Sequence, residues 1–414
     1  MSLNYTISDR AKKITFAMMG IGALAIVYAL VRGIPIQRVW ANLLVDIFFF
    51  MTLGLGATFY WAKKYAAEAA YPIVFKRVYE AISGFLPVGA LMLAIFFIMG
   101  FLGLHYIYKW MDKDFYEKLL PDGTVNPHYD KILANKMPYF NIFFFWGRMI
   151  FYFGIAIWAR QILRRRSLEE DLTGDSKLHF KNITTSAGFL VLFGFLTPVM
   201  VWDVIMSVDT HWFSTMFGWY VLAGFWCTTM ITILLVSLYL KGKGHLEEMN
   251  DNHFHDLGKW TFALSFLWTY TFFCQFMLIW YANIPEEVTY FHDRISLMGY
   301  RPLFWIMFFV NFSFPMLFLM SRDAKRNATY LKIIGGILIF THWLDVYVMV
   351  MPGTVGANWR VFSPLELGLF IGFAGLFLFV VMRELSKAPL VVQDRKSTRL
   401  NSSHIQKSRM PSSA

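Results

Sequence analysis

Long apolar stretches separated by short polar segments recur along the chain, and this pattern predicts membrane-spanning helices. A helix needs about 20 apolar residues to cross the hydrocarbon core of a bilayer. Stretches that meet this requirement run over residues 14–31, 40–61, 81–107, 139–163, 183–206, 212–240, 257–282, 302–321, 330–351 and 364–382. The predicted fold class is an all-α polytopic membrane protein with ten transmembrane helices.

Lysine and arginine are concentrated on one side of this predicted bundle. They fill the segments before the first stretch and after each even-numbered stretch, whereas the other side is poor in them outside the longer 108–138 loop. Because basic loops stay cytoplasmic, we expect both termini, including residues 1–13, to be cytoplasmic. Odd-numbered helices then run outward.

Composition supports this class and sets the final residues apart. Charged residues make up 16% of the chain, whereas a soluble domain carries about 25%. Residues 14–390 are expected to form the ten-helix domain. From Arg395 onward the chain is polar and basic with no apolar period, which sets residues 391–414 apart as a tail. We interpret them as a disordered, non-native-looking tail that resembles translated adapter sequence and replaces the native end; a natural disordered tail is the alternative.

Asp46, Arg148, Asp203 and Asp345 are charged residues that lie inside the predicted membrane helices or at their ends. A charge at such depth costs roughly 2.5–3.5 kcal/mol in insertion experiments and usually marks a functional site. The helix rise places Asp46 and Asp345 about 9 Å, and Arg148 about 14 Å, below the outer surface. All four are predicted in the outer half of the membrane or at its boundary, with Arg148 deepest.

Further acids and imidazoles gather on the same predicted outer side. His342 and Asp345 are three residues apart and therefore share one helix face. A quinol needs His or carboxylate acceptors for its hydroxyl protons, and an outer location would let those protons leave. We predict quinol or proton handling by Asp46, Arg148, Asp203, His342 and Asp345. An outer quinone or proton exit is predicted at Asp209, His211 and Glu286.

Structural roles compete with these interpretations. Arg148 can simply hold helices together by pairing with Asp46 or Asp345. Asp203 can cap its helix or reach the interface, and the acids and histidine of the outer connections can be solvated. Both interpretations stay open at the level of the sequence.

The chain lacks the residues that would carry electrons through it. Its two cysteines form no CxxC motif, so we expect no iron–sulfur cluster, no c-type haem and no metal on this chain. Only His342 is clearly intramembrane, whereas a transmembrane haem needs facing histidine pairs. In quinol oxidation a partner would therefore accept the electrons.

A weak internal repeat indicates how the helices group. The fifth stretch carries WDV at 202–204 and the ninth carries WLDV at 343–346, both near predicted outer ends. This predicts two related four-helix bundles, helices 2–5 over about 40–206 and helices 6–9 over about 212–351. Helices 1 and 10 lie outside them.

Three stretches of the chain resemble a known family. They are MPYFNIFFFWGRMIFYF (137–153), WDVIMSVDTHWFSTMFGWY (202–220) and FMLIWYANIPEEVTYF (276–291). They are similar to the NrfD-type membrane subunits of bacterial alternative complex III, and more to the second of its two paralogues. The resemblance covers about residues 5–390. It implies ten helices in two four-helix bundles, a bacterial inner membrane and a paralogous NrfD-type partner.

The resemblance also implies a function. Alternative complex III oxidises menaquinol or ubiquinol and passes electrons through iron–sulfur and c-type haem subunits to a cytochrome c or directly to a terminal oxidase. Its second NrfD-type paralogue is expected to hold a degenerate quinone slot or a proton route that opens to the periplasm. Two alternatives stay open, a secondary solute transporter and a purely structural anchor for redox subunits. No nucleic-acid partner is expected.

Overall fold

The computed structural model describes residues 5–69, 71–119, 124–297, 299–358 and 362–390, and this part of the chain is mostly helical, with an isolated β-bridge between Leu119 and Val125. Ten spans are long and apolar enough to cross a membrane, so the predicted class is confirmed. The α-helices of the described residues are α1 (Asp9–Val31), α2 (Ile36–Ala66), α3 (Lys76–Ser83), α4 (Leu86–Phe101), α5 (Lys131–Phe140), α6 (Ile142–Thr173), α7 (Ser176–Val204), α8 (Thr215–Gly242), α9 (Asp251–Ala282), α10 (Pro285–Ser296), α11 (Tyr300–Phe318), α12 (Ala328–Thr354) and α13 (Pro364–Leu385). The predicted tail lies outside the described residues.

Several helices extend beyond the predicted apolar stretches into charged sequence. α6 continues to Thr173, and the third span starts at Tyr71 with a short 3-10 helix and passes through α3 to end with α4 at Phe101. The apolar criterion missed these ends because their charged residues pair with one another instead of ending the helix. Two short helices, α5 and α10, lie in segments predicted as connections.

The helix bounds change the distances of the charged residues from the helix ends. Asp46 lies about 15 Å from the first residue of α2, and Asp345 lies about 14 Å from the last residue of α12. Arg148 lies only about 9 Å from the start of α6. Arg148 is therefore nearer to a helix end than Asp46 and Asp345, because α6 starts later than predicted whereas α2 and α12 are longer. Its depth in the membrane stays a prediction.

The packing of the helices follows the predicted grouping. α2, α4, α6 and α7 contact one another in a ring, and α8, α9, α11 and α12 form a second ring. The two rings meet where α2, α8 and α12 touch, and these are the three most deeply buried spans. That the two bundles descend from a repeat stays a prediction.

The bundle has two distinct ends and an apolar outside. We name the end that carries the first residue of α1 and the last residue of α13 the basal end, and the opposite end, with α5 and α10, the apical end. Large apolar side chains are exposed along the outward helix faces, such as Phe143, Phe195 and Leu317. Such a surface suits lipid, so the bilayer is the partner of these faces.

α1 and α13 lie outside both rings and pack on each other through small residues. A Cβ added at Gly372 would lie 2.7 Å from the Cα of Gly22, and one added at Gly368 would lie 2.5 Å from the Cβ of Ala25. Close backbone approach through small residues is the usual way that helices associate in lipid.

We expect Gly372→Val to lower the midpoint temperature of unfolding in detergent, because overpacking such a contact costs about 1–3 kcal/mol. Gly20→Val is the matched control, since a Cβ added at Gly20 on α1 meets nothing within 4 Å, and its midpoint should stay unchanged. Equal midpoints for the two variants would contradict the contact. Differential scanning fluorimetry of both proteins provides the measurement.

Candidate functional site

Asp345 lies in the core of the second bundle and is bonded by neutral donors. Its side chain is 2% exposed. Tyr220 of α8 donates its hydroxyl to Oδ1, and Trp268 of α9 donates Nε1–H to Oδ2 at 2.9 Å. Gly224, one turn after Tyr220, leaves room for the indole of Trp268, since an added Cβ would lie 3.2 Å from that ring. Within the described residues no cation pairs with this carboxylate.

Asp46 occupies a comparable place at the junction of the bundles. It is 1% exposed, and its Oδ1 accepts a hydrogen bond from Nε1 of Trp343 at 2.8 Å. Trp343 lies on α12, two residues before Asp345. One short segment of α12 therefore binds Asp46 through Trp343 and also carries Asp345. Neither carboxylate is compensated by a Lys or Arg of the described chain, and an uncompensated charge in such a core is costly.

His342 and Asp345 come together as their spacing predicted. Both line a cavity of about 20 Å³ between α2, α8 and α12. His342 is 2% exposed, and neither ring nitrogen has a hydrogen-bond partner within the described chain. Its ring meets Trp268 edge to face, with centroids 5.7 Å apart. The cavity has room for about one water, which two polar groups of this kind would bind.

A second cavity lies on the apical side of Asp345. Its volume is about 10 Å³, and Asp345, Tyr220, Gln275 and Arg294 are among its lining residues. The amide nitrogen of Gln275 is buried and has no protein partner in the described part of the chain. Asp345 therefore borders two spaces of about the size of one water, one shared with His342 and the other with Arg294.

Arg148 and Asp203 form an ion pair at the apical end of the first bundle. Nε and Nη2 of Arg148 donate to the two oxygens of Asp203 at 2.7 and 2.9 Å, and Nη1 donates to the Tyr139 carbonyl at 2.9 Å. The predicted pairing of Arg148 with Asp46 or Asp345 is wrong. α6 and α7 form an antiparallel hairpin that brings residues 148 and 203 to the same level, whereas both other acids bond to neutral groups elsewhere.

The three predicted exit residues do not form one group. Asp209 pairs with Arg294 of α10 through Oδ2 and Nη2 at 3.2 Å. His211 is bonded through Nε2 to Asp130, which caps the N-terminus of α5. Glu286 is exposed in the first turn of α10, where a carboxylate suits the positive end of the helix. Only Asp209 approaches the Asp345 site, through Arg294.

A group of charged residues outside the predicted site forms a network at the basal end, here called the basal ion network. Its centre is Glu80, which is 0% exposed and is bonded by Arg77, Arg164 and Ser167. Further members include Lys76, Arg160, Glu170, Asp171 and Glu384. Cations and carboxylates alternate in it, so α3, α6 and α13 are joined by compensated charges.

Comparison of the chain with protein-family models and with curated proteins found no match. Within the described residues, no group of three or more His, Cys, Asp or Glu side chains is arranged to hold a metal ion. The site is therefore interpreted from its own geometry. That geometry offers two uncompensated carboxylates, one unpartnered imidazole and two water-sized spaces, an arrangement that can store a proton and pass it on.

Proposed function

We propose that this chain is a membrane subunit of a quinol-oxidising electron-transfer complex of the alternative complex III type, and that Asp345 carries protons in it. The observation that carries the proposal is the position of Asp345 between two water-sized cavities, without a compensating cation among the described residues. A proton can move between Asp345 and His342 through one water, with Tyr220 and Trp268 holding the carboxyl group in place.

The size of the cavities favours protons over quinol as the species handled at Asp345. Pockets for small molecules have volumes of roughly 300–1,000 Å³, whereas the cavities beside Asp345 measure about 20 and 10 Å³. A larger space of about 420 Å³ is an open apolar groove between α4 and α6, and its lining residues include no His and no carboxylate. That groove suits an acyl or isoprenoid chain but offers no acceptor to quinol hydroxyls.

The remaining parts of the proposal follow from the resemblance to NrfD-type subunits. The paralogous subunit would hold the main menaquinol or ubiquinol site, and iron–sulfur and c-type haem subunits would take the electrons to a cytochrome c or a terminal oxidase. The basal end would face the cytoplasm of a bacterium and the apical end the periplasm, in agreement with the many basic residues at the basal end.

The alternative of a secondary transporter finds less support. Substrate sites of transporters are typically built where membrane helices are interrupted. In this protein α2, α8 and α12 pass Asp46, Tyr220 and Asp345 as continuous helices. A purely structural role fits the Arg148–Asp203 pair but does not account for an uncompensated acid beside an unpartnered histidine.

Asp345→Asn tests the proposal in the complex purified through a tag on this chain. We expect normal assembly and haem content, but quinol-driven proton release in proteoliposomes should fall by roughly tenfold or more, since general acid–base transfer typically contributes 10²–10⁴-fold. Asp293→Asn, at an exposed apical position, is the control and should keep full release. Unchanged proton release in Asp345→Asn, or a tagged chain that brings down no redox subunits, would refute the proposed function.

A further inference from the structure

Arg294 is a buried cation that closes the apical side of the Asp345 site. It is 2% exposed, although it lies on the short helix α10 near the apical surface. Its guanidinium donates to three carbonyls, those of Val348 at 3.0 Å, Met349 at 2.7 Å and Tyr290 at 2.8 Å. It also lies over the ring of Tyr290 at 3.3 Å. These contacts fix the positive charge in one position.

The sequence of α12 prepares the place for this guanidinium. Pro352 lies within α12 and has no N–H, so the carbonyl of Val348, four residues earlier, loses its helical donor. Arg294 supplies the missing hydrogen bond through Nε. The next residue, Gly353, lets Asp209 approach, since an added Cβ would lie 2.3 Å from Asp209 Oδ1. Pro352 thus frees a carbonyl that binds Arg294, and Gly353 leaves space for Asp209, the ion-pair partner of Arg294.

Arg294 lies between the Asp345 site and the apical surface, where protons from Asp345 would leave. On one side it lines the cavity of about 10 Å³ that also contacts Asp345. On the other side it pairs with Asp209, whose side chain is 25% exposed. A proton that moves from Asp345 through this cavity to Asp209 and the apical surface has to pass the guanidinium. A fixed Arg in a narrow passage raises the energy of a proton there, as in water channels that exclude protons.

We propose that Arg294 is an electrostatic barrier that keeps the passage between Asp345 and Asp209 closed to protons while the protein is at rest. The proposal rests on the proton role of Asp345 within the proposed function, but not on the redox partners. Asp209 holds the guanidinium from the apical side, and the carbonyls of α12 hold it from below. Arg294 is a positioning residue in this scheme, because its charge acts on the passage and takes no part in proton transfer.

A passive leak assay on the full-length chain tests the barrier without turnover. The chain is reconstituted in liposomes that contain a pH dye, and a potassium gradient with valinomycin drives protons across the membrane. We expect no proton leak through the wild type or through Arg294→Lys, which keeps the positive charge. Arg294→Gln should raise proton flux by roughly tenfold or more, because it removes a full charge a few ångströms from the passage.

Two further variants separate a barrier from general damage. Arg294→Gln combined with Asp345→Asn should be tight again, because the passage then lacks its proton-carrying group. Arg301→Gln removes an exposed arginine in the first turn of α11, at the apical end, that does not line the Asp345 cavities, and it should not leak. All variants should elute and melt as folded protein. The barrier proposal is refuted if Arg294→Gln shows no proton leak, or if the leak persists in the double variant. The proposed function is tested separately, by proton release in the complex that carries Asp345→Asn.

Discussion

Glu80→Ala is expected to destabilise the protein by about 3–5 kcal/mol, the usual cost of breaking a buried ion pair by removing one partner. The Glu80 carboxylate is fully buried and is bonded by the guanidinium groups of Arg77 and Arg164 and by the Ser167 hydroxyl. Without it, two cations face each other in the core of the basal ion network. Thermal unfolding in detergent should show a clearly lower midpoint and a reduced yield of folded protein.

An exposed acid provides the comparison for this prediction. Asp9 pairs with Lys12 on the surface of α1, with side-chain exposures of 89% and 47%. Exposed pairs of this kind contribute about 0–1 kcal/mol, so Asp9→Ala should leave the midpoint almost unchanged. If Glu80→Ala melts no lower than Asp9→Ala, the network does not hold the basal ends of α3, α6 and α13 together.

The ten spans could be predicted because hydropathy along a helix is a local property. The same local criterion failed at Glu80, since a cluster of charges indicates a loop unless the pairing of those charges is known. In the structure the helices α3 and α6 continue through this cluster because their charges compensate one another. Compensation between helices far apart in sequence cannot be read from either helix alone.

The candidate site was predictable in the parts that depend on helix periodicity. His342 and Asp345 share a cavity, as their spacing of three residues indicated. The donors to Asp345 were missed because Tyr220 and Trp268 belong to other helices, 125 and 77 residues away. No signal along the chain distinguishes these two aromatic residues from the many that only pack.

The structure divides the four charged residues that the sequence singled out into two kinds. Asp46 and Asp345 are uncompensated and lie at the centre of the molecule, whereas Arg148 and Asp203 satisfy each other. A charge that is already neutralised costs less to keep in a membrane, so its presence is weaker evidence for function. The proton role therefore rests on Asp345 with His342, and Asp46→Asn in the same assays tests the predicted role of Asp46.

The Arg148–Asp203 pair is expected to stabilise the fold without taking part in proton transfer, and a double-mutant cycle separates the two roles. Arg148→Met leaves the fully buried Asp203 carboxylate uncompensated, which costs about 3–5 kcal/mol. Asp203→Asn should cost less, because the guanidinium keeps the Tyr139 carbonyl at 2.9 Å and the Tyr139 ring at 3.7 Å. Thermal midpoints of both variants measure this asymmetry.

The double variant Arg148→Met/Asp203→Asn removes both charges and should recover most of the stability lost in Arg148→Met, since an absent ion pair leaves nothing uncompensated. Because neither residue lines the cavities beside Asp345, its quinol-driven proton release should also return to nearly the wild-type value. Recovery of the midpoint without recovery of proton release would show that the pair belongs to the proton route. In that case the route would pass through the first bundle as well as through Asp345.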